Sequence, residues 1–401
     1  MKITRMINHN KKTLWMLAGG EMQIPTAYYA KKEGYNLIIS DMNLNAPCKK
    51  YADKFFCVDT VDLKKNKLVE KFNKNILSGI FTIGSDAHYT SNFFAKRNKL
   101  HHTNLNISKI CKDKNLTRKF LKGKFPQPKN FLILNYNDYI SKIKYFKNGY
   151  ALKQLNLSGS KGFHEFESNQ RLTKNQFSKL INYNPKNKKI IMEEKLSSKK
   201  NTLSEMSVET IWQDGNIIYF NCVDRIFPRD IIVSRNLPKS LYANIKAGYE
   251  IGHINPSLKS KKEILKIKKL MMKLGKLLGY KKMKKCHVLK ADIFFSLNGP
   301  IILEITPRLS GGYDSTGSGI IRGFKLSQAI LKISQGQRFK KKEINYYFKG
   351  NKKKVLVISK YVKNKRFFYL SSGNNKLINL FRKVKIKIKK NKLLKNERYF
   401  S

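Results

Sequence analysis

The sequence predicts an α/β protein of two or three domains, and three observations support this fold class. The chain has 401 residues, more than a single hydrophobic core usually organises. Hydrophobic residues make up 41 % of it, which is enough to fill real interiors. The first hundred residues alternate apolar strands with a helical stretch, whereas later residues pair strands around glycine turns. We therefore expect a parallel α/β domain followed by α+β lobes.

The opening segment predicts the parallel domain. Residues 13–18 form an apolar run that ends in two glycines, and a helical stretch at 24–32 precedes a second strand at 35–40. A third strand is predicted at 79–83. Strand–helix–strand units of this length make right-handed parallel crossovers, so residues 1–107 are predicted to form a doubly wound α/β domain. The two glycines alone are a weak nucleotide signal, because a tight turn explains them equally well.

The remainder of the chain predicts antiparallel lobes. Residues 108–121 read as a helix ending before Pro126, and residues 260–279 read as a lysine-rich amphipathic helix. Glycine turns join several strand pairs. The predicted strands are residues 150–153, 163–166, 189–194, 205–212, 217–220, 288–295 and 300–305. Residues 336–401 read as a small, lysine-rich, β-patterned unit appended to the rest.

Cysteine usage and hydropathy predict that the protein is cytoplasmic. The five cysteines are scattered, odd in number and without a C-x-x-C pair, which is typical of reduced thiols and not of a disulfide framework or a zinc site. No apolar run approaches the length that spans a bilayer, so we expect no membrane span. The first residues also lack the apolar run of a signal peptide.

The net charge of +57 is open to two interpretations. Such a charge suggests binding to nucleic acid or to an anionic membrane surface. However, the lysines are spread along the whole chain and Asn and Ile are also abundant, as the codon bias of an AT-rich genome would produce. Zinc-finger spacing and an RNP-type aromatic motif are absent from the sequence. We favour codon bias as the origin of the charge, and we expect no specific nucleic-acid partner.

Lys153 and the glycine-rich loop that follows it form the first chemical motif. The loop reads Ser158-Gly159-Ser160-Lys161-Gly162. Backbone N–H groups of such a loop can fold over phosphate oxygens, while a lysine on the preceding strand supplies a point charge. Taken alone, the loop is more often a plain hairpin turn.

Asp292 and Glu304 form the second motif. They lie on two predicted antiparallel strands joined by a turn at Asn298 and Gly299. Two carboxylates on one face repel each other unless a cation lies between them, and Mg²⁺ suits few carboxylates together with phosphate oxygens. The alternative is two solvated acids, but their apolar neighbours argue for a buried sheet.

The third motif follows Glu304 and reads Thr306-Pro307-Arg308-Leu309-Ser310-Gly311-Gly312. The guanidinium of Arg308 can bind phosphate or carboxylate oxygens beside a metal. The glycine pair would let a substrate approach the backbone. The alternative is a loop that ends a strand and carries a surface arginine.

Together, these motifs resemble the ATP-grasp superfamily. The resemblance rests on a lysine strand, a Gly/Ser loop, an acidic hinge and the pattern D-x(11)-E-x-T-P-R-x-x-G-G, in that order. It is nearest to the carbamoyl-phosphate-synthase-like and biotin-carboxylase-like branch. The resemblance implies a Rossmann-like pre-ATP-grasp domain at 1–107 and a two-lobed ATP-grasp domain at 108–335. The smaller lobe, a lid, would span about 126–190.

The resemblance also implies a binding site for ATP. Lys114 and Lys153 would hold the phosphates, with Lys153 also catalytic, and residues 158–162 would form the mobile phosphate loop. The remaining ATP-binding positions implied are the adenine hinge at Glu193, Glu194 and Leu196, and the ribose acid at Glu205.

The same resemblance implies a metal site and a catalytic arginine. Asp292 and Glu304 would bind Mg²⁺, which Mn²⁺ could replace, and Arg308 would stabilise the transferred phosphoryl group. Thr306 stands where many relatives have Asn, so its metal contact is open. For the acidic substrate we name Arg225, Gly311 and Gly312, although Arg225 fits a surface salt bridge equally well.

The function that the resemblance implies is an ATP-dependent ligase. A small-molecule carboxylic acid would form an acyl phosphate, and an amine-type or thiol nucleophile would displace the phosphate. Two alternatives are a non-catalytic ATP-binding regulator and a basic nucleic-acid-binding protein. Homodimerisation is left open.

Overall fold

The computed structural model describes residues 8, 10–157, 162–184, 188–197, 202–230, 237, 239, 242, 245, 248–311, 314–362 and 365–373. Ser158, Gly159, Ser160 and Gly312, which the sequence predicts to bind ATP or substrate, lie outside these residues. No helix within these ranges is long and apolar enough to cross a membrane.

The described residues form three β-sheets with helices packed against them. The strands are β1 (Thr13–Leu17), β2 (Asn36–Asp41), β3 (Lys54–Cys57), β4 (Leu77–Phe81), β5 (Asn130–Ile133), β6 (Tyr150–Gln154), β7 (Phe163–Phe166), β8 (Ile190–Glu194), β9 (Glu205–Gln213), β10 (Asn216–Ile226), β11 (Gly252–Asn255), β12 (Cys286–Ser296), β13 (Gly299–Thr306), β14 (Lys354–Val362) and β15 (Lys365–Gly373). The main helices are α1 (Ile24–Lys32), α2 (Leu63–Lys71), α3 (His88–Arg97), α4 (Leu105–Lys112), α5 (Lys114–Leu121), α6 (Tyr136–Ile143), α7 (Lys174–Ile181), α8 (Lys261–Leu277), α9 (Leu326–Ser334) and α10 (Lys341–Phe348).

The first sheet is parallel, with strand order β3-β2-β1-β4. Every residue of β1 is buried, as expected for a central strand covered on both faces. The predicted helix α1 connects β1 to β2. This sheet confirms the predicted parallel α/β class. Strand β3, which has only four residues, was not predicted from the sequence.

The second sheet is small and antiparallel, with strand order β5-β8-β6-β7. Helices α6 and α7 contribute Tyr139 and Phe177 to its core, and their rings stack at a centroid distance of 5.2 Å. The hydroxyls of Tyr139 and Tyr150 lie 2.6 Å apart and join helix α6 to strand β6. The strands that carry Lys153 and Glu193 are therefore fixed side by side, within a lobe of their own.

The third sheet is antiparallel, with strand order β13-β12-β9-β10-β11-β14-β15. Strand β14 pairs with β11 along four residues, and Val355 to Ile358 are buried there. The described part of the segment after residue 336 therefore extends this sheet, whereas the sequence predicted a separate appended unit. The four consecutive apolar residues of β14 need cover on both faces, which the large sheet supplies.

One of the two predicted helices of this region is divided in the structure. The stretch 108–121 is divided between α4 and α5, because Asp113 has an extended backbone and its carboxylate accepts hydrogen bonds from Asn115 and Leu116. Helix α8 begins where the sequence predicts it, because Ser260 and Glu263 form a capping box there.

Candidate active site

A cleft of about 210 Å³ lies between the small sheet and the large sheet. Phe163, Phe294 and Leu303 supply apolar walls. The predicted ATP-binding residues that line it are Lys153, Glu193, Glu194, Leu196 and Glu205. A cleft that combines apolar walls with convergent polar groups suits a small-molecule ligand that has both polar and apolar parts.

Glu193 is the most constrained acid of this cleft. Its carboxylate accepts hydrogen bonds from Arg118 Nε and from Lys153 Nζ, each at 2.6 Å. Burial raises the pKa of Glu193, but the two cations outweigh burial and hold it at about 2. Arg118 also donates to the carbonyls of Ile302 and Leu303, so it ties helix α5 and strand β8 to strand β13. Arg118, which lies one helical turn after Lys114, was not among the site residues predicted from the sequence.

Glu205 has a partner that the sequence analysis also missed. Arg229 Nη2 donates a hydrogen bond to its carboxylate, and Arg229 Nη1 lies 3.7 Å from Glu165. The guanidinium rests 4.7 Å from the ring centre of Phe227. The acid predicted to bind ribose is therefore held in place at the cleft wall by a cation from the loop after β10.

A second, smaller cavity of about 20 Å³ contains Lys114, Glu304 and Thr306. Lys114 Nζ donates a hydrogen bond to the carbonyl of Leu157. Leu303 lines the large cleft and Glu304 lines this cavity, so the two spaces meet strand β13 at consecutive residues. The parallel domain contributes His88, whose pKa is lowered to about 3 by burial and by the charge of Arg308.

Asp292 and Glu304 are direct neighbours across strands β12 and β13, as the sequence predicted. Asp292 is engaged by cations of the protein: Lys290 Nζ lies 2.7 Å from its carboxylate and Arg225 Nη1 lies 3.4 Å from it. Burial raises the pKa of Asp292, but Arg225 and Lys290 outweigh burial and keep it below its usual value. Lys290 is two residues before Asp292 and therefore shares its face of the strand.

Glu304 and Thr306 retain binding capacity. The Glu304 carboxylate has no hydrogen-bond or ion-pair partner among the residues that the structure describes. Thr306 Oγ1 is buried and also lacks a hydrogen-bond partner there. An available carboxylate beside an orphaned hydroxyl fits a hard divalent cation such as Mg²⁺. Asp292 would join the same ion only by sharing its carboxylate with Lys290.

Arg308 and Gly311 lie where the third motif meets the parallel domain. Arg308 lines neither of the two cavities, and its Nη1 donates to the carbonyl of Leu309 at 3.1 Å. The N–H of Gly84 donates to the same carbonyl at 3.2 Å. A Cβ on Gly311 would lie 3.1 Å from the Gly84 oxygen. This glycine therefore allows a close approach between two loops of the protein itself.

Arg225 and His253 lie deeper in the large sheet. The Arg225 side chain is 18 % exposed and also lies 3.5 Å from Glu250, so its ion pairs are largely buried and not the surface salt bridge considered as an alternative. His253 is fully buried, and its Nε2 lies 2.9 Å from Ser318 Oγ.

The chain is similar to solved structures over most of its length. An L-amino acid ligase from Bacillus licheniformis has a TM-score of 0.68 and 13 % identity, covering 93 % of this chain and 97 % of its own. The N5-carboxyaminoimidazole synthetase of Staphylococcus aureus, complexed with ADP, has a TM-score of 0.63, 14 % identity and coverage of 89 % and 85 %. The biotin carboxylase of Campylobacter jejuni, in an ATP complex, has a TM-score of 0.63, 14 % identity and coverage of 87 % and 75 %. No protein-family model and no curated protein sequence matches the chain.

These similarities show the fold of the chain. The chain has the fold of the ATP-grasp ligases, which confirms the fold class expected from its motifs.

Proposed function

We propose that the protein is an ATP-dependent ligase that joins a carboxylic acid to an amine-type or thiol nucleophile through an acyl phosphate. One observation supports this most: five of the predicted ATP-binding residues line one cleft, and this cleft reaches strand β13 at Leu303, next to Glu304. In this proposal the adenine ring lies along the hinge at Glu194 and Leu196. The ribose lies beside Glu205, and the phosphates extend towards Lys153 and Lys114.

The metal in this proposal is Mg²⁺, or Mn²⁺ in its place, held by Glu304 and Thr306 with Asp292 beside them. Once bound, it neutralises charge on the β- and γ-phosphates. Lys290 and Arg225 already supply positive charge at Asp292, so the protein provides part of this neutralisation itself.

The residues of the chain then have distinct tasks in the proposed reaction. The substrate carboxylate attacks the γ-phosphorus of ATP, which gives an acyl phosphate and ADP. Lys153 and Arg308 stabilise charge on the phosphoryl group as it moves, because catalysis of this reaction is mainly positioning and electrostatics. The nucleophile attacks the acyl carbon, loses a proton and expels phosphate. Arg225, Gly311 and Gly312 remain the residues proposed for the acid substrate.

ADP release measured against a panel of carboxylic acids and amines tests this proposal. At least one acid–amine pair should stimulate ADP release by the wild-type protein. Glu304→Ala should lower the stimulated rate by about 100-fold or more, because an interaction worth several kcal/mol is lost. Glu21→Ala, at an exposed acid of the parallel domain, is the matched control and should keep the rate.

Two results would contradict the proposal. Full turnover by the Glu304→Ala variant would show that Glu304 does not bind the metal ion that the reaction needs. If the protein binds ATP but no acid–amine pair stimulates ADP release, a non-catalytic ATP-binding regulator is favoured instead. The cations that pair with Asp292 would also suit a regulator, because they occupy a carboxylate that a catalytic metal would need.

A further inference from the structure

Helix α8 carries a strongly basic surface that the proposed ligase reaction does not use. The helix spans 17 residues, seven of them lysines, whereas its one acid, Glu263, closes the capping box with Ser260. At 1.5 Å per residue the helix is about 25 Å long. Every one of these lysines is exposed. They are Lys261, Lys262, Lys266, Lys268, Lys269, Lys273 and Lys276.

Two exposed apolar side chains lie within this basic surface. Leu265 is 59 % exposed and Met272 is 52 % exposed. Because they are seven residues apart, close to two helical turns, they lie on one line about 10 Å apart. Lysines flank both of them at spacings of three or four residues, which places these side chains together on one side of the helix. We call Lys262, Leu265, Lys269, Met272 and Lys276 the α8 face.

The buried side of α8 shows which face of the large sheet the helix covers. Ile267 and Leu274 pack in one core with Ala291 and Ile293 of strand β12. Because side chains alternate along a strand, Asp292 faces the opposite side of the sheet, where the candidate metal site lies. The α8 face therefore points away from the candidate metal site, and a surface that binds to it would not cover that site.

The basic surface continues beyond the helix. Lys273 Nζ donates to the carbonyl of Lys124 at 3.2 Å, so helix α8 lies against the loop that follows α5. Lys122 and Lys124 of that loop are exposed. A broad anionic surface would therefore meet lysines from several neighbouring segments. The segment after the helix adds the exposed Lys281, Lys282, Lys284 and Lys285.

We propose that the α8 face docks the protein on the anionic surface of a membrane. Its lysines attract the negative headgroups, while Leu265 and Met272 enter the boundary between headgroups and acyl chains. Charge attraction and apolar insertion are each weak alone, and stable attachment needs both. The α8 face supplies both from one helix, which the core of the large sheet holds in place.

The chemistry of the face favours a membrane over other anionic partners. Isolated exposed apolar residues are common on proteins, but Leu265 and Met272 share one line with the lysines. A nucleic-acid backbone presents phosphates and sugars, which gain nothing from apolar side chains. A stable protein partner needs about 800 Å² of contact per side, with an apolar core. Two separated side chains on a convex helix instead suit a fluid layer of headgroups that closes around them.

Vesicle sedimentation with the full-length protein tests the docking, and it needs neither ATP nor substrate. At about 0.15 M salt, vesicles of phosphatidylcholine with about 30 % phosphatidylserine should bind about 10-fold or more tighter than phosphatidylcholine alone. The triple variant Lys262→Gln, Lys269→Gln and Lys276→Gln should weaken binding by about 100-fold, because each lysine near the membrane contributes roughly fivefold. The double variant Leu265→Gln and Met272→Gln should weaken it by about 10-fold at unchanged charge.

An introduced indole reports the insertion directly. The chain has two tryptophans, Trp15 and Trp212, which are 0 % and 3 % exposed, so neither should respond to vesicles. The emission of a Leu265→Trp variant should shift to shorter wavelength with the phosphatidylserine vesicles, because the indole leaves water. Phosphatidylcholine vesicles alone should cause no shift.

Matched variants of helix α2 separate a docking site from the overall charge. The triple variant Lys64→Gln, Lys65→Gln and Lys67→Gln removes the same charge from exposed lysines. Leu68→Gln removes an apolar side chain that is 59 % exposed. Both should bind the vesicles within about twofold of the wild type, because charges more than about 8 Å from the membrane are screened. Circular dichroism shows whether each variant is folded.

The proposal is overturned if the wild type does not prefer the anionic vesicles, or if the α2 variants weaken binding as much as the α8 variants do. It is also overturned if the Leu265→Gln and Met272→Gln variant binds unchanged, or if the emission of Leu265→Trp does not shift. The α8 face would then attract polyanions, nucleic acids included, by charge alone.

Discussion

At the scale of single residues, the buried carboxylate of Glu193 joins two lobes. Its folded-state pKa of about 2 lies below the ordinary value of 4.5, because Arg118 and Lys153 stabilise its charge against burial. A shift of this size corresponds to about 3 kcal/mol of stability above pH 4.5, and this contribution is lost as the pH falls towards 2. Protonation of Glu193 should therefore accompany acid unfolding.

Arg118→Met should lower the free energy of unfolding at neutral pH by about 3 kcal/mol, because it leaves a buried carboxylate with Lys153 alone. The pKa of Glu193 should rise, so the acid loss of stability should begin at a higher pH. Urea denaturation between pH 3 and pH 7 measures both effects.

Arg338→Met is the control for this prediction. It removes an arginine that is 53 % exposed and pairs with Asp214 at 2.7 Å. The loss should be much smaller, since solvent screens such a pair. If both variants lose the same free energy of unfolding, the ion pairs of Glu193 contribute no more than an exposed pair, and the prediction is wrong.

Some residues of the candidate site follow from sequence and others do not. Asp292 and Glu304 could be paired because a short turn fixes their register. Lys290 lies two residues before Asp292, so the alternation of a strand places both side chains on one face. This pairing could have been predicted from the sequence, but a lysine on a strand is usually solvated and was therefore not considered. Arg118 and Arg229 reach Glu193 and Glu205 through long-range folding, which no local pattern reveals.

At the scale of elements, the packing of helix α8 on the large sheet depends on one glycine. A Cβ on Gly275 would lie 2.2 Å from Cζ2 of Trp212 on strand β9. Trp212 is 3 % exposed, and its Nε1 donates to Thr210 Oγ1 at 2.9 Å, so the ring cannot easily move.

Gly275→Ala should therefore destabilise the protein by about 2 kcal/mol through overpacking. This value is the cost of overpacking less the helix propensity of alanine, which stabilises a helix by about 1 kcal/mol relative to glycine. The midpoint of urea denaturation measures it. Lys268→Ala, on the exposed face of the same helix, should change stability little. A stabilised Gly275→Ala variant would show that the helix can shift away from Trp212.

Elements with a clear period were predicted best. Helix α1 and the strand pair β12–β13 were predicted almost at their observed bounds, because glycine turns and apolar runs delimit them. Strand β3 was missed, since four residues carry too little pattern. The place of β14 in the large sheet was also missed, because its partner β11 lies about a hundred residues earlier in the chain.

At the scale of the whole molecule, the charge of +57 is distributed over every domain. Exposed lysines lie on α2 of the parallel domain, on α8 beside the large sheet, and on α10, which packs against strand β10 of that sheet. A basic groove with interleaved aromatic side chains would be the pattern of a nucleic-acid site. Dispersed lysines instead support non-specific attraction to any polyanion.

We therefore expect DNA and RNA to bind without sequence preference, and affinity to fall by about 1,000-fold or more between about 50 and 200 mM salt. Fluorescence anisotropy with duplexes of unrelated sequence measures this, and heparin should compete as well as DNA. ADP release should not depend on nucleic acid at the higher salt concentration. A sequence preference that survives this salt would instead support the nucleic-acid-binding alternative, because base contacts, and not counterion release, would then carry the affinity.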